Sequence, residues 1–141
     1  EIEAMNAGLA PGQIRIGLRS SSRVLYQIET FLIGLGHGSI SLEPLTYASA
    51  WIFEKNGFAY MRGHQLMTRI HKEFQPGGAL YKALDGSTPF RQKEQATTIR
   101  GRAWAIHDGI LEAIGQQWDE LRMTRQVGRN MVISTSPDVK Y

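Results

Sequence analysis

Between Leu45 and Arg62 the chain reads LTYASAWIFEKNGFAYMR, and its hydrophobic period changes halfway along. The first part has the spacing of an amphipathic helix, and Asn56-Gly57 stops it, glycine taking the left-handed conformation that helix ends favour. Phe58–Arg62 then predicts a short strand. A helix that hands over to a strand within three residues leaves little slack. On its own this is ordinary helix-to-strand punctuation, and the segments before it are what point to a fold class.

The preceding residues extend the pattern. Ile14-Arg15-Ile16-Gly17-Leu18 alternates as a strand with one buried face would, and Ser20–Ser22 offer hydroxyls as helix caps. Val24, Leu25, Ile28, Phe31, Leu32 and Leu35 then recur at three- and four-residue steps, which predicts a helix with a core-facing stripe. Gly34 and Gly36 end it. Ser39–Glu43 alternates again, and Pro44 closes that strand. The first 62 residues thus spell β-α-β-α-β, which predicts an α/β (α+β) fold with a small mixed sheet and helices packed on it. Residues 1–13, with Pro11-Gly12 and little periodicity, read as a lead-in or linker.

After Gly63 a mainly helical extension is predicted over residues 63–141, packing on the 14–62 unit. His64–Phe74 and Ala79–Leu84 read as helices, separated by the turn Gln75-Pro76-Gly77-Gly78. Ser87-Thr88-Pro89 starts a long helical tract to about Arg125, with Ile99, Ala103, Ile106, Ile110, Ile114 and Leu121 mostly on one face. Gly101, Gly109 and Gly115 predict a break or kink in it. The last dozen residues read as a loosely held tail.

Composition narrows the function classes. At 141 residues the chain suits one domain with a real core. It has no cysteine, which excludes disulfides and thiolate metal sites. No apolar run approaches the length of a membrane span and no secretory signal pattern opens the chain, so a cytoplasmic address is expected. Residue 1 is Glu, which suggests a processed chain or part of a longer one. The net charge of +3 arises in residues 64–141, with eleven bases against eight acids. That excess is too small to argue a nucleic-acid partner by itself.

Two segments carry a family resemblance. Ile52–Phe58, IFEKNGF, is similar to the Leu-Tyr-Glu-Lys-x-Gly-Phe signature that ends the last core helix of GNAT-type acyl-CoA N-acyltransferases. Glu54, Lys55, Gly57 and Phe58 match, and Phe53 stands where the signature has Tyr. Thr46 takes the place of a frequent upstream Asn, and Ser49 that of the usual Ala. Ile14–Ile28, IRIGLRSSSRVLYQI, resembles that family's strand, loop and helix that bind the pyrophosphate of CoA. Its motif there is Arg or Gln, two residues, Gly, one residue, then Gly or Ala, and Ser22 and Val24 follow Arg19 at those positions. The resemblance covers the C-terminal, CoA-binding half of the family's fold, about residues 14–62.

It implies acyl transfer from acyl-CoA (or acetyl-CoA, as co-substrate) to an amine acceptor. Arg19, Ser20, Ser21, Ser22 and Arg23 would hold the pyrophosphate, where a helix N-terminus suits a diphosphate. Glu43 would be the base that takes the amine proton, although a carboxylate there also suits the dipole of the following helix. The family's Tyr protonates the departing thiolate, and Phe53 has no proton to give. The strands that precede this segment in the family do not fit in thirteen residues, so an upstream segment or a partner is expected to complete the sheet. The alternative is a non-catalytic, acyltransferase-like assembly subunit.

Other residues weigh less. Tyr47 lies six residues before Phe53, about 120° around the helix, and reads as core or rim. His64 and His71 share a helix face without a matching carboxylate, so no metal site is expected. Trp104 and Trp118, fourteen apart, read as core or a partner surface. Arg91, Lys93, Arg100 and Arg102 read as a solvated basic helix face, and a nucleic-acid-binding module built on it is a third, lesser reading.

Overall fold

The computed structural model describes residues Glu1–Tyr141. Six α-helices and three strands follow in the order α1 (Ile2–Asn6), α2 (Ser21–Gly34), β1 (Ser39–Leu42), α3 (Tyr47–Lys55), β2 (Ala59–Arg62), α4 (His64–Glu73), α5 (Ala79–Ala83), α6 (Ile99–His107) and β3 (Arg122–Gln126). Short 3-10 segments at Lys93–Thr97 and Ile110–Ile114 flank α6.

The sheet has the order β1-β3-β2, and both pairings are antiparallel. The register sets Ser39 opposite Gln126 and Leu42 opposite Met123 on one side, and Tyr60 opposite Met123 on the other, with an irregularity between Tyr60 and Arg62. A mixed sheet was expected, and the difference has a simple origin. β1 and β2 run the same way, as strands joined across a helix do, but β3 lies between them. Every neighbouring pair is therefore antiparallel. The central strand comes from residues 122–126, inside what reads in the sequence as helix.

The segment β1-α3-β2 forms where expected. Thr46 and Ser49 cap α3 reciprocally. The Thr46 hydroxyl accepts from the Ser49 N–H at 3.1 Å, and the Ser49 hydroxyl accepts from the Thr46 N–H at 3.0 Å. Gly57, at φ +81°, ends the helix with its backbone against Asn130. Tyr47, Ala48, Ala50 and Phe58 then enter the core together with Met67, Ile70 and Phe74 of the α4 region, Leu80 and Leu84 of the α5 region, Ile99 and Ala103 of α6, and Met123 of β3.

Three expectations fail. Ile14–Leu18 forms no strand, and Ile14, Ile16 and Leu18 are exposed, because no strand lies beside them to take up their backbone groups. The 89–125 tract breaks at Gly109 and Gly115, two of the three glycines expected to interrupt it, but only Ile99–His107 of it is α-helix, with Gly101 inside. Gly109 and Gly115 sit at φ +84° and +63° and end the helical hydrogen bonding on either side of Ile110–Ile114. Trp104 and Trp118 therefore share no helix face: Trp104 stacks on Phe90, and Trp118 stands edge-on to Tyr47. Nor is the C-terminal tail loose. Thr135 and Ser136 are buried, and the Ile99 N–H donates to the Lys140 carbonyl at 2.8 Å.

The stripe on α2 is helical as expected but faces outward. Val24, Ile28, Phe31 and Leu35 are 41–66% exposed. Leu25 packs against the core instead, and Glu29 is buried against Arg125. No helix is long and apolar enough to cross a membrane.

Candidate functional site

The α2 N-terminus is tied to the α3 C-terminus where the Ser22 hydroxyl donates to Asn56 Oδ1 at 3.0 Å. Two adjoining cavities open around this junction. The smaller, about 470 Å³, is lined by both acids and bases, among them Glu29, Glu54, Lys55 and Arg125. The larger, about 910 Å³, lies between the 7–22 segment and a wall made by α3, α6 and the C-terminal segment. Its size is at the upper end of small-molecule sites.

The charge of the larger cleft is one-sided. Arg19, Lys55 and Arg100 line it, and no Asp or Glu does. None of these three forms an ion pair; the chain's five lie elsewhere. Three cations around one cavity repel each other, although Arg19 and Lys55 are exposed and water and salt screen much of that repulsion. An anionic ligand relieves it.

The sequence brings Arg19 and Ser20–Ser22 to this cleft as a group. Arg19 holds a left-handed backbone at φ +52°, a conformation that costs a non-glycine residue about 1 kcal/mol or more and clusters at binding sites. Ser20 is the N-cap residue of α2, yet its side chain makes no capping bond. The first N–H groups of the helix are left without a side-chain acceptor. α3 and α6 differ, for Thr46 and Thr98 cap them.

The other candidates lie apart from this group. Arg23 is exposed and does not line the cleft. Glu43 follows β1 near the far end of the sheet, exposed, and pairs with Arg122 at 2.6 Å. Phe53 is half-buried with its ring edge-on to Phe58 at 5.4 Å.

The opposite wall was not legible as a site. Lys55 Nζ lies 5.1 Å from the Trp51 ring centre, and Arg100 Cζ lies 4.4 Å from that of Tyr141. The two rings stack at 5.6 Å and 30°. Lys55 follows Trp51 by four residues, one helical turn, so that contact carried a local signal. Arg100 and Tyr141 are far apart in sequence and carried none.

The basic cluster dissolves on folding. Arg91 pairs with Asp108 at 2.7 Å, Lys93 sits over Tyr81, and Arg100 enters the cleft. Arg102 is 2% exposed and has no carboxylate partner. Its Nε donates to the Ala96 carbonyl at 2.8 Å, its Nη1 lies 3.1 Å from His71 Nδ1, and it stands over the Phe74 ring. Burial first, and then this guanidinium, hold the His71 imidazole below its ordinary range.

Below the cleft, Glu54 is a structural hub. Its carboxyl accepts from the Tyr60 hydroxyl at 2.7 Å, from the Thr135 N–H at 3.1 Å and from the Thr135 hydroxyl. The Tyr47 and Ser136 hydroxyls share a further bond at 2.9 Å. Burial, then the bond to Glu54, pushes the Tyr60 phenol far above its usual range, so it remains a donor at any working pH. No three His, Asp or Glu side chains gather as a metal site.

No protein-family model, curated protein or solved structure matches the chain.

Proposed function

We propose that the larger cleft binds acyl-CoA and that the chain serves acyl transfer to an amine acceptor. A partner or a further segment of the polypeptide would complete the acceptor side. The observation that carries this reading is the charge of the cleft: Arg19 and Ser20–Ser22 face it together with Lys55 and Arg100, and no acid does. The Arg19 guanidinium and the uncapped N–H groups of α2 suit a diphosphate.

In such a transfer the amine nitrogen attacks the thioester carbonyl, the C–N bond forms and the C–S bond breaks. The nitrogen's proton goes to a base, for which Glu43 is the proposed group, released from Arg122. Phe53 gives no proton to the sulfur. A thiol is a far stronger acid than an alcohol, so the sulfur can leave as thiolate without an acid and then take its proton from water. Positioning of the two substrates would supply most of the rate.

The test is thermal unfolding with acetyl-CoA and a longer acyl-CoA, since a ligand bound only by the folded chain raises its stability. A rise with either, reduced in Arg19→Gln, is expected. No shift at millimolar ligand refutes the reading. The second reading, a non-catalytic assembly subunit, is favoured by the uncovered stripe Val24, Ile28, Phe31 and Leu35. It prevails if CoA binds and thioester is not consumed with a panel of amines.

A further inference from the structure

The cations of the cleft stand on two walls. Arg19 belongs to the segment that leads into α2. Lys55 and Arg100 belong to α3 and α6, and are held by aromatic rings rather than by acids. The Trp51–Tyr141 stack fixes both of these cations at once, because each of its rings carries one. A cation over a ring keeps its charge and most of its hydrogen-bond donors free. Gly8 brings backbone close to the same place: a methyl group on it would lie 3.4 Å from Arg100 Nη1. Two donors in this wall, Arg100 Nε and Trp51 Nε1, are shut away from solvent without an acceptor, a costly state.

We propose that Lys55 and Arg100 form a second phosphate subsite, separate from the one at Arg19 and Ser20–Ser22. The ligand then carries two distinct phosphate centres. This rests on the acyl-CoA reading, and on CoA the second centre is the 3′-phosphate of the ribose, distinct from the diphosphate. A dianionic monoester is the group best matched to two cations that no carboxylate neutralises.

The experiment is calorimetric titration of the chain with CoA and with dephospho-CoA, which lacks only the 3′-phosphate. Wild type should bind CoA roughly 10- to 100-fold more tightly, the worth of one or two charge-assisted hydrogen bonds. Lys55→Met, an exposed position whose stem is kept, and Arg100→Gln should each shrink that ratio by weakening CoA more than dephospho-CoA. Arg19→Gln should weaken both ligands equally. Unfolding curves of the variants confirm that each is folded. Equal affinity of wild type for the two ligands overturns the second subsite and leaves the CoA pocket standing. A preserved ratio in both wall variants overturns it too. Binding of neither ligand at millimolar concentration removes the acyl-CoA reading and this inference with it.

Discussion

Replacing Glu54 with alanine tests whether the core of the IFEKNGF segment serves structure. Glu54 is 2% exposed, and its carboxyl gathers three donors, one from Tyr60 six residues on and two from Thr135, 81 residues on. Glu54→Ala removes every acceptor at once. The Tyr60 hydroxyl is only partly buried and can turn to water. The two Thr135 donors cannot, since Thr135 is 4% exposed. A buried donor left unpaired costs about 1–3 kcal/mol, and the lost methylene contacts add roughly 1 kcal/mol. For the two Thr135 donors and the methylene together the sum is about 3–7 kcal/mol, a large share of the 5–15 kcal/mol typical of a domain. Glu54→Gln keeps the volume and one acceptor oxygen, so about 1–2 kcal/mol is expected for it. Urea unfolding followed by tryptophan fluorescence reads both values. Limited proteolysis adds a local readout: the alanine variant should be cut within residues 128–138 under conditions where wild type resists. If Glu54→Ala unfolds within 1 kcal/mol of wild type and its C-terminal segment stays protected, the hub does not exist as described.

Gly63→Ala should cost roughly 2–4 kcal/mol by the same assay, because φ is +100° and the new methyl would lie 2.5 Å from Leu121 Cγ; a neutral result would mean that β2 and α4 join differently. Phe31→Ser should cost about 0.5 kcal/mol or less, the value for a surface site, since Phe31 is 66% exposed; a loss of 3 kcal/mol or more would show that the α2 stripe is core. His71, held below its ordinary value of 6.5 by burial and Arg102 and raised in part by Asp138, binds its proton more readily in the unfolded chain. Stability should therefore fall as pH drops below about 6.5 and continue falling to the folded pKa. The urea midpoint of His71→Gln should change less between pH 7.5 and 5.5 than that of wild type, and parallel profiles would contradict this.

What the sequence disclosed follows the range of the interactions involved. The β1-α3-β2 segment was legible because its determinants are local: alternation, Pro44 closing the strand, and a stop at Gly57. Even there, Thr46 and Ser49 first stood out as departures from a signature, whereas in the structure they are the cap that starts α3. α2 was legible as a helix but not in its orientation, for periodicity gives a face and says nothing of what covers it. β3 was hidden because RMTRQ has no apolar alternation beyond Met123; it is a strand only because β1 and β2 flank it. The same holds in the cleft. Arg19 and Ser20–Ser22 are neighbours in sequence and were read together, while Arg100 and Tyr141 meet only through the tertiary fold.

The C-terminal segment connects these observations. Glu54 holds Thr135, Tyr47 holds Ser136, and the Ile99 N–H holds the Lys140 carbonyl, so three anchors fix the path of residues 135–140. Tyr141 follows directly and stacks on Trp51, one turn before Lys55 on α3. One helix thus presents two faces with different work. Tyr47 and Glu54 point inward and anchor the segment, while Trp51 and Lys55 line the cleft that the segment then closes. A change at Glu54 should therefore reach the cleft without touching it, by releasing Tyr141 and with it the position of Arg100. Glu54 and Lys55, adjacent in IFEKNGF, are thus parts of one arrangement: the carboxylate anchors the segment that carries Tyr141, and Lys55 stands on the ring against which Tyr141 stacks.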